Sequence, residues 1–183
     1  MNAIVNELDI AAMTKWFEHM HRNPELSMQE DRTAAFIAET LRSFGGYDIE
    51  TGVGKHGVVA SLKVGDGDRV IGLRADFDAL PIQEDNDFPY KSTVDGVAHL
   101  CGHDGHTAML LGAAKHLAEK KNFNGTVRLI FQPGEETMQG GPAMIEDGLF
   151  ERFPVDAVFG MHNIPGLEEG KFYFHPGEMM AAV

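Results

Sequence analysis

The chain has 183 residues, 43% of them hydrophobic, and a net charge of −13 from 15 Lys and Arg against 28 Asp and Glu. That composition suits one globular domain with a sizeable core, and the lack of a basic run argues against nucleic-acid or anionic-membrane partners. One cysteine excludes an intrachain disulfide and fits a reducing, cytoplasmic setting. Neither a secretory signal nor a membrane span is expected, since no apolar stretch approaches the roughly 20 residues a bilayer requires.

In chain order, a first helix is predicted over about residues 7–21, with Leu8, Ala12, Met13, Trp16, Phe17 and Met20 on one face. A second starts at "SMQE", where Ser27 and Glu30 have the spacing of a capping box, and runs to Gly45-Gly46. "GVVASLKV" (57–64) and "RVIGLRA" (69–75) are rich in β-formers and separated by "GDGD", which reads as a hairpin. A helix is predicted from Asp104 to about Lys120, with Thr107, Leu110, Leu111, Ala114 and Leu117 facing the core. The strand "TVRLIF" (126–131) follows, then a helix near Pro142 to Asp147, a strand "DAVFGM" (156–161) and a further strand at "GKFYFH" (170–175). Alternating strands and helices imply crossovers and a largely parallel sheet, made mixed by the hairpin. The predicted fold class is α/β, a mixed, largely parallel sheet flanked by helices.

Three of these strands end in polar residues. "RVIGLRA" runs into Asp76 and Asp78, "TVRLIF" into Gln132-Pro133-Gly134-Glu135-Glu136, and "DAVFGM" into His162-Asn163. Ligands of open α/β sheets bind beyond the carboxyl ends of the strands, so parallel strands would bring these residues to one edge. The segment "HLCGHDGHTAML" (99–110) lies just before a predicted helix in the same crossover. In an extended segment Cys101 and His103 point the same way, so both can reach one point. A thiolate, two imidazoles and a carboxylate, from Cys101, His103, His162 and Glu136, suit zinc or a similar divalent ion. The adjacent Glu135 would diverge from Glu136 in a turn, leaving it to act as general base toward a metal-activated water. Each residue also has a plainer reading. Cys101 alone is an inert buried hydrophobe, adjacent glutamates are solvated surface, and Asp76 is either a cap or a partner that orients a metal-bound histidine. His106 either touches substrate or packs in the first helical turn. His19, His21, His56, His116 and His175 are read as structural.

Taken together, "HRNPELS" (21–27), "GLRADFDALPIQE" (72–84), "HLCGHDGHTAMLLGAAKHLA" (99–118), "GTVRLIFQPGEE" (125–136) and "DAVFGMHN" (156–163) resemble, in order, the amidohydrolase branch of the metal-dependent aminoacylase and carboxypeptidase family. That branch includes hippurate hydrolases, N-acyl-amino-acid deacylases and hydrolases of auxin–amino-acid conjugates. The resemblance implies a zinc-exopeptidase-like catalytic domain with two divalent metal ions, zinc or manganese first and cobalt or nickel as alternatives. It implies Cys101 as bridging ligand, His103 and His162 as imidazole ligands, Glu136 as carboxylate ligand, Glu135 as general base and Asp76 as the acidic residue supporting the ligands. Arg74 stands where many members of the wider family have a metal-binding histidine, which places the sequence with the cysteine-using branch.

The implied reaction is hydrolysis of the amide bond of a small N-acyl amino acid, in a protein that is a homo-oligomer at full length. Family members are about twice as long, in line with two domains. Residues 1–183 are therefore expected to be the N-terminal part of the catalytic domain, incomplete at the C-terminus and without the lid domain and a last histidine ligand. An exposed apolar sheet edge is a further expectation. After "GEE" the sequence departs from the family's glycine-rich run with "TMQGGPAMIEDG", a variation expected to be accommodated by Gly140-Gly141. Two other readings stand beside the leading one: a hydrolase with Cys101 as nucleophile paired with His103 or His106, and a metal-binding module without turnover.

Overall fold

The computed structural model describes residues 8–174 and Gly177. Its elements are α1 (Ile10–Arg22), α2 (Asp31–Phe44), β1 (Asp48–Val53), β2 (Gly57–Val64), β3 (Val70–Asp76), α3 (His103–Lys120), β4 (Gly125–Gln132), α4 (Gly140–Glu146), α5 (Leu149–Arg152) and β5 (Ala157–Gly160). The five strands form one mixed sheet in the order β1-β2-β4-β3-β5. β3, β4 and β5 are mutually parallel, while β2 is antiparallel to β1 and β4. The predicted α/β class with a mixed sheet is thus the fold observed.

Alternation along the central strands divides the core in two. Val58 and Ala60 of β2, Leu129 and Phe131 of β4 and Ala75 of β3 face α2 and α3, where they meet Ile37, Leu41, Leu110 and Leu111. Val59 and Ile130 point to the opposite face, against Met144 of α4 and Leu149 at the start of α5. Each Val, Leu, Ile, Phe or Met side chain so taken from water contributes roughly 1.5–3 kcal/mol. α1 packs on α3 from outside.

The predicted hairpin of β2 and β3 does not form, because β4 lies between them. The "GDGD" turn is held instead by Asn124, whose Oδ1 accepts from the Gly67 amide at 2.7 Å and whose Nδ2 donates to Asp66 at 3.2 Å. β4 is buried on both faces, which no edge position would allow, so it takes the place between the two strands.

The capping box is also replaced. Ser27 Oγ donates to Asp78 Oδ2 at 2.7 Å, and Glu30 Oε1 accepts from the Gly134 amide at 2.8 Å. Glu25 caps α2 in their stead, accepting from the Thr33 amide at 2.7 Å and its hydroxyl at 2.8 Å. β1, polar and interrupted by Gly52, and the short α5 carry too little periodicity to be read from sequence. The expected strand at 170–175 is absent over 170–174, where no ladder partner runs beside it among the described residues, and His175 lies outside them, as do residues 1–7.

β5 closes one edge of the sheet, and Val158, Phe159 and Met161 are exposed there, as expected for that edge. Among the described residues no helix is long and apolar enough to cross a membrane.

Candidate metal centre

The parallel strands bring their carboxyl ends to one edge, and the polar residues that follow them meet the start of α3. Asp76 ends β3, Glu135 and Glu136 sit in the turn after β4, and His162 follows β5. Gly102 is the N-cap of α3 with φ +101°, and a Cβ there would collide with the side chain of Asn163. Only glycine lets the cysteine segment and the histidine segment approach this closely. A Cβ at Gly140 would likewise collide with the Pro133 carbonyl, so the turn bearing the two glutamates depends on a residue without a side chain.

His103 is fully buried. Its Nδ1 donates to Asp78, 3.0 Å from both Oδ1 and the backbone carbonyl, which leaves the Nε2 lone pair facing the site. Three carboxylates surround that atom: Glu135 Oε2 at 3.6 Å, Glu136 Oε1 at 3.7 Å and Asp76 Oδ2 at 3.7 Å. Neither His103 Nε2 nor Glu136 Oε1 has a hydrogen-bond partner, although both atoms are buried. A lone pair ringed by acceptors is stable only with positive charge among them, from a proton or a cation. Burial opposes the imidazolium, but the Asp78 hydrogen bond and the charges of Asp76, Asp78 and Glu136 outweigh it and raise the pKa of His103.

His162 is set in the same tautomer. Its Nδ1 donates to the Asn163 carbonyl at 2.7 Å, and its Nε2 lies 3.4 Å from Cys101 Sγ. Two adjoining clusters that could hold a metal ion result, Cys101 with His103 and His162, and His103 with Glu135 and Glu136, the candidate ligand atoms of each lying within 4.8 Å of one another. A third cluster, Asp76 with His103 and His106, is less suited to a cation. Arg74 Nη1 already sits 2.6 Å from Asp76 Oδ2, and His106 Nδ1 donates to Asp76 Oδ1 at 2.6 Å. His106 Nε2 is in turn 2.6 Å from Asn163 Oδ1. The donor set of sulfur, imidazole and carboxylate fits zinc or a comparable divalent ion.

All six residues singled out from sequence, Asp76, Cys101, His103, Glu135, Glu136 and His162, come together at this edge. Asp76 makes its hydrogen bonds to Arg74 and His106, and the partner of His103 is Asp78. Asp78 is two residues beyond Asp76, just past the end of β3, and an i, i+2 spacing in extended chain is the signal that could have paired it with His103. Burial and then the negative charges of Glu136, Glu135 and Asp76 push the Cys101 thiol up to about 12. A free thiolate nucleophile is therefore disfavoured here, whereas a bound cation would hold the sulfur deprotonated.

His21, read as structural, is buried between two carboxylates, with Nδ1 2.7 Å from Asp104 Oδ2 and Nε2 3.0 Å from Glu84 Oε1. It ties α1 to the 77–102 crossover and to the first turn of α3, one residue beyond His103.

Known proteins share both the sequence and the fold. The family model described as Peptidase family M20/M25/M40 matches residues 72–179. A hippurate hydrolase of Campylobacter jejuni is 52% identical over 183 residues, all of this chain and 47% of its own length. An N-acyl-L-amino acid amidohydrolase of Geobacillus stearothermophilus is 46% identical over 169 residues, 91% of this chain and 45% of its own. The crystal structure of the Bacillus subtilis YXEP protein, described as a dinuclear metal binding peptidase, superimposes with a TM-score of 0.80 at 42% identity, covering 87% of this chain and 45% of that one. The chain thus spans about half the length of the curated relatives it matches. Matched over more than half its length by the family model, and superimposing on a solved member at 42% identity, the chain belongs to Peptidase family M20/M25/M40.

Proposed function

We propose that this protein, as part of a chain like its relatives, hydrolyses the amide bond of N-acyl amino acids at a centre of two divalent ions, zinc or manganese. The observation that carries this reading is the unpartnered lone pair of buried His103 Nε2, ringed by Glu135, Glu136 and Asp76. In it, Cys101, His103, Glu136 and His162 would hold the ions, Cys101 through its thiolate, His103 and His162 through Nε2 and Glu136 through its carboxylate. When bound, such ions polarise the scissile carbonyl and lower the pKa of water to roughly 7.

The protein's own residues do the rest. His103 and His162 offer Nε2 because each spends Nδ1–H on an oxygen acceptor. Glu135, with 39% of its side chain exposed against 21% for Glu136, is the more accessible of the two and in this reading takes the proton from water and returns it to the leaving nitrogen. The acyl-amino-acid class is supported by the names of the two relatives, hippurate hydrolase and N-acyl-L-amino acid amidohydrolase.

Hydrolysis of hippurate and other N-acyl amino acids, before and after chelation, tests this. Activity is expected to disappear with chelator and to return with zinc or manganese. Activity that persists in metal-free protein and falls to thiol alkylation would instead make Cys101 the nucleophile. Metal uptake without hydrolysis at saturating substrate would make the chain a binding module.

A further inference from the structure

We propose that Asp78 is the positioning residue of the site, and that its one carboxylate sets two proposed ligands at once, the His103 imidazole and the Glu136 turn. This rests on the metal-centre reading above. Asp78 is 1% exposed, and each of its oxygens serves a different segment. Oδ1 accepts from His103 Nδ1 at 3.0 Å, beside the Asp78 carbonyl at 3.0 Å, and the two together fix the tautomer that presents Nε2. Oδ2 accepts from the backbone amide of Glu136 at 3.0 Å and from Ser27 Oγ at 2.7 Å. The "HRNPELS" segment is thereby joined to the site through its serine, and Glu30 adds a second tie by accepting from the Gly134 amide. Asp76 has no such reach, because Arg74 and His106 occupy its oxygens.

The geometry makes Asp78→Asn a sharp probe. A carboxylate can accept on both sides, whereas an amide has one oxygen and one NH₂. If the amide oxygen of the variant faced His103, the NH₂ would meet the Glu136 and Ser27 donors; turned round, it would meet His103 Nδ1–H. In either orientation one ligand segment loses its side-chain acceptor, the Glu136 amide outright or His103 Nδ1–H down to the Asp78 carbonyl alone. Ser27→Ala removes only one donor from Oδ2 and leaves both ligand contacts in place.

Titration of the full chain with Co²⁺, followed by its visible d–d bands, distinguishes the roles. Asp78→Asn is expected to weaken cobalt binding about 10–100-fold and to change the d–d spectrum of the ion that does bind, with Ser27→Ala like wild type in both. A merely structural residue would alter stability and leave the spectrum unchanged. Wild-type affinity and spectrum in Asp78→Asn, or an equal loss in Ser27→Ala, would overturn the proposal.

Should Asp78→Asn fail to fold, the wild-type protein still decides. Slow hydrogen exchange at the Glu136 amide and ¹⁵N shifts of an Nδ1–H tautomer at His103 are expected, and fast exchange or an Nε2–H tautomer would overturn it. Failure of the wild type to take up cobalt would sink the metal-centre reading, and the proposal with it. A cobalt-binding wild type with an indifferent Asp78→Asn would sink the proposal alone.

Discussion

Glu135→Gln is expected to lower hydrolysis of an N-acyl amino acid by roughly 10²–10⁴-fold while leaving metal content at the wild-type level. The two adjacent glutamates are separated by their surroundings. Glu136 has 21% of its side chain exposed and a buried Oε1 without a partner, while its backbone amide is fixed by Asp78. Glu135 has 39% of its side chain exposed, and its Oε2 is 3.6 Å from His103 Nε2. In the proposed mechanism Glu136 binds and the more exposed Glu135 exchanges protons with solvent and substrate. Glutamine keeps the size and an acceptor oxygen but cannot take a proton, so catalysis falls without loss of the ions. Turnover like the wild type would remove Glu135 from the mechanism, and loss of metal would make it a ligand.

The second large effect concerns stability. His21→Ala is expected to cost about 3–5 kcal/mol at pH 6, because it leaves Glu84 and Asp104 buried and facing one another without a cation. Burial disfavours the charged ring of His21, yet the hydrogen bonds it donates to Asp104 and Glu84, with their negative charges, outweigh it and raise its pKa above 6.5. A raised folded-state pKa means that this stabilisation is fully present below pH 6.5 and is lost as pH rises through the folded pKa. Urea denaturation of wild type and His21→Ala at pH 6 and pH 9 should therefore show a large difference at pH 6 that narrows at pH 9. A difference of the same size at both, or none at pH 6, would contradict the ion-triad account.

The contrast between His21 and His103 also shows what local sequence can carry. The site segments were legible because each ends a strand or begins a helix, and parallel pairing of β3, β4 and β5 then delivered them to one edge; Cys101 and His103 meet there across the left-handed turn at Gly102 and the first residue of α3, not along the extended segment expected. The hairpin reading went wrong for a non-local reason. Nothing in "GDGD" indicates that a strand much later in the chain will enter between its neighbours, a pairing decided by the two-faced burial of β4. The contacts of Asp78 were hidden in the same way. Its three partners, Ser27, His103 and Glu136, lie in segments far apart in the chain, and only the folded sheet edge brings them together. The Ser27–Glu30 capping signal was misleading because the site takes both side chains for itself, leaving Glu25 to cap α2.

The central claim is that this sheet edge is a metal centre. Elemental analysis of the purified wild-type chain beside Cys101→Ala and Glu136→Ala tests it most directly. The account requires about two divalent ions per wild-type chain and a loss in both variants. A wild type without stoichiometric metal, or variants that keep their full complement, would contradict it.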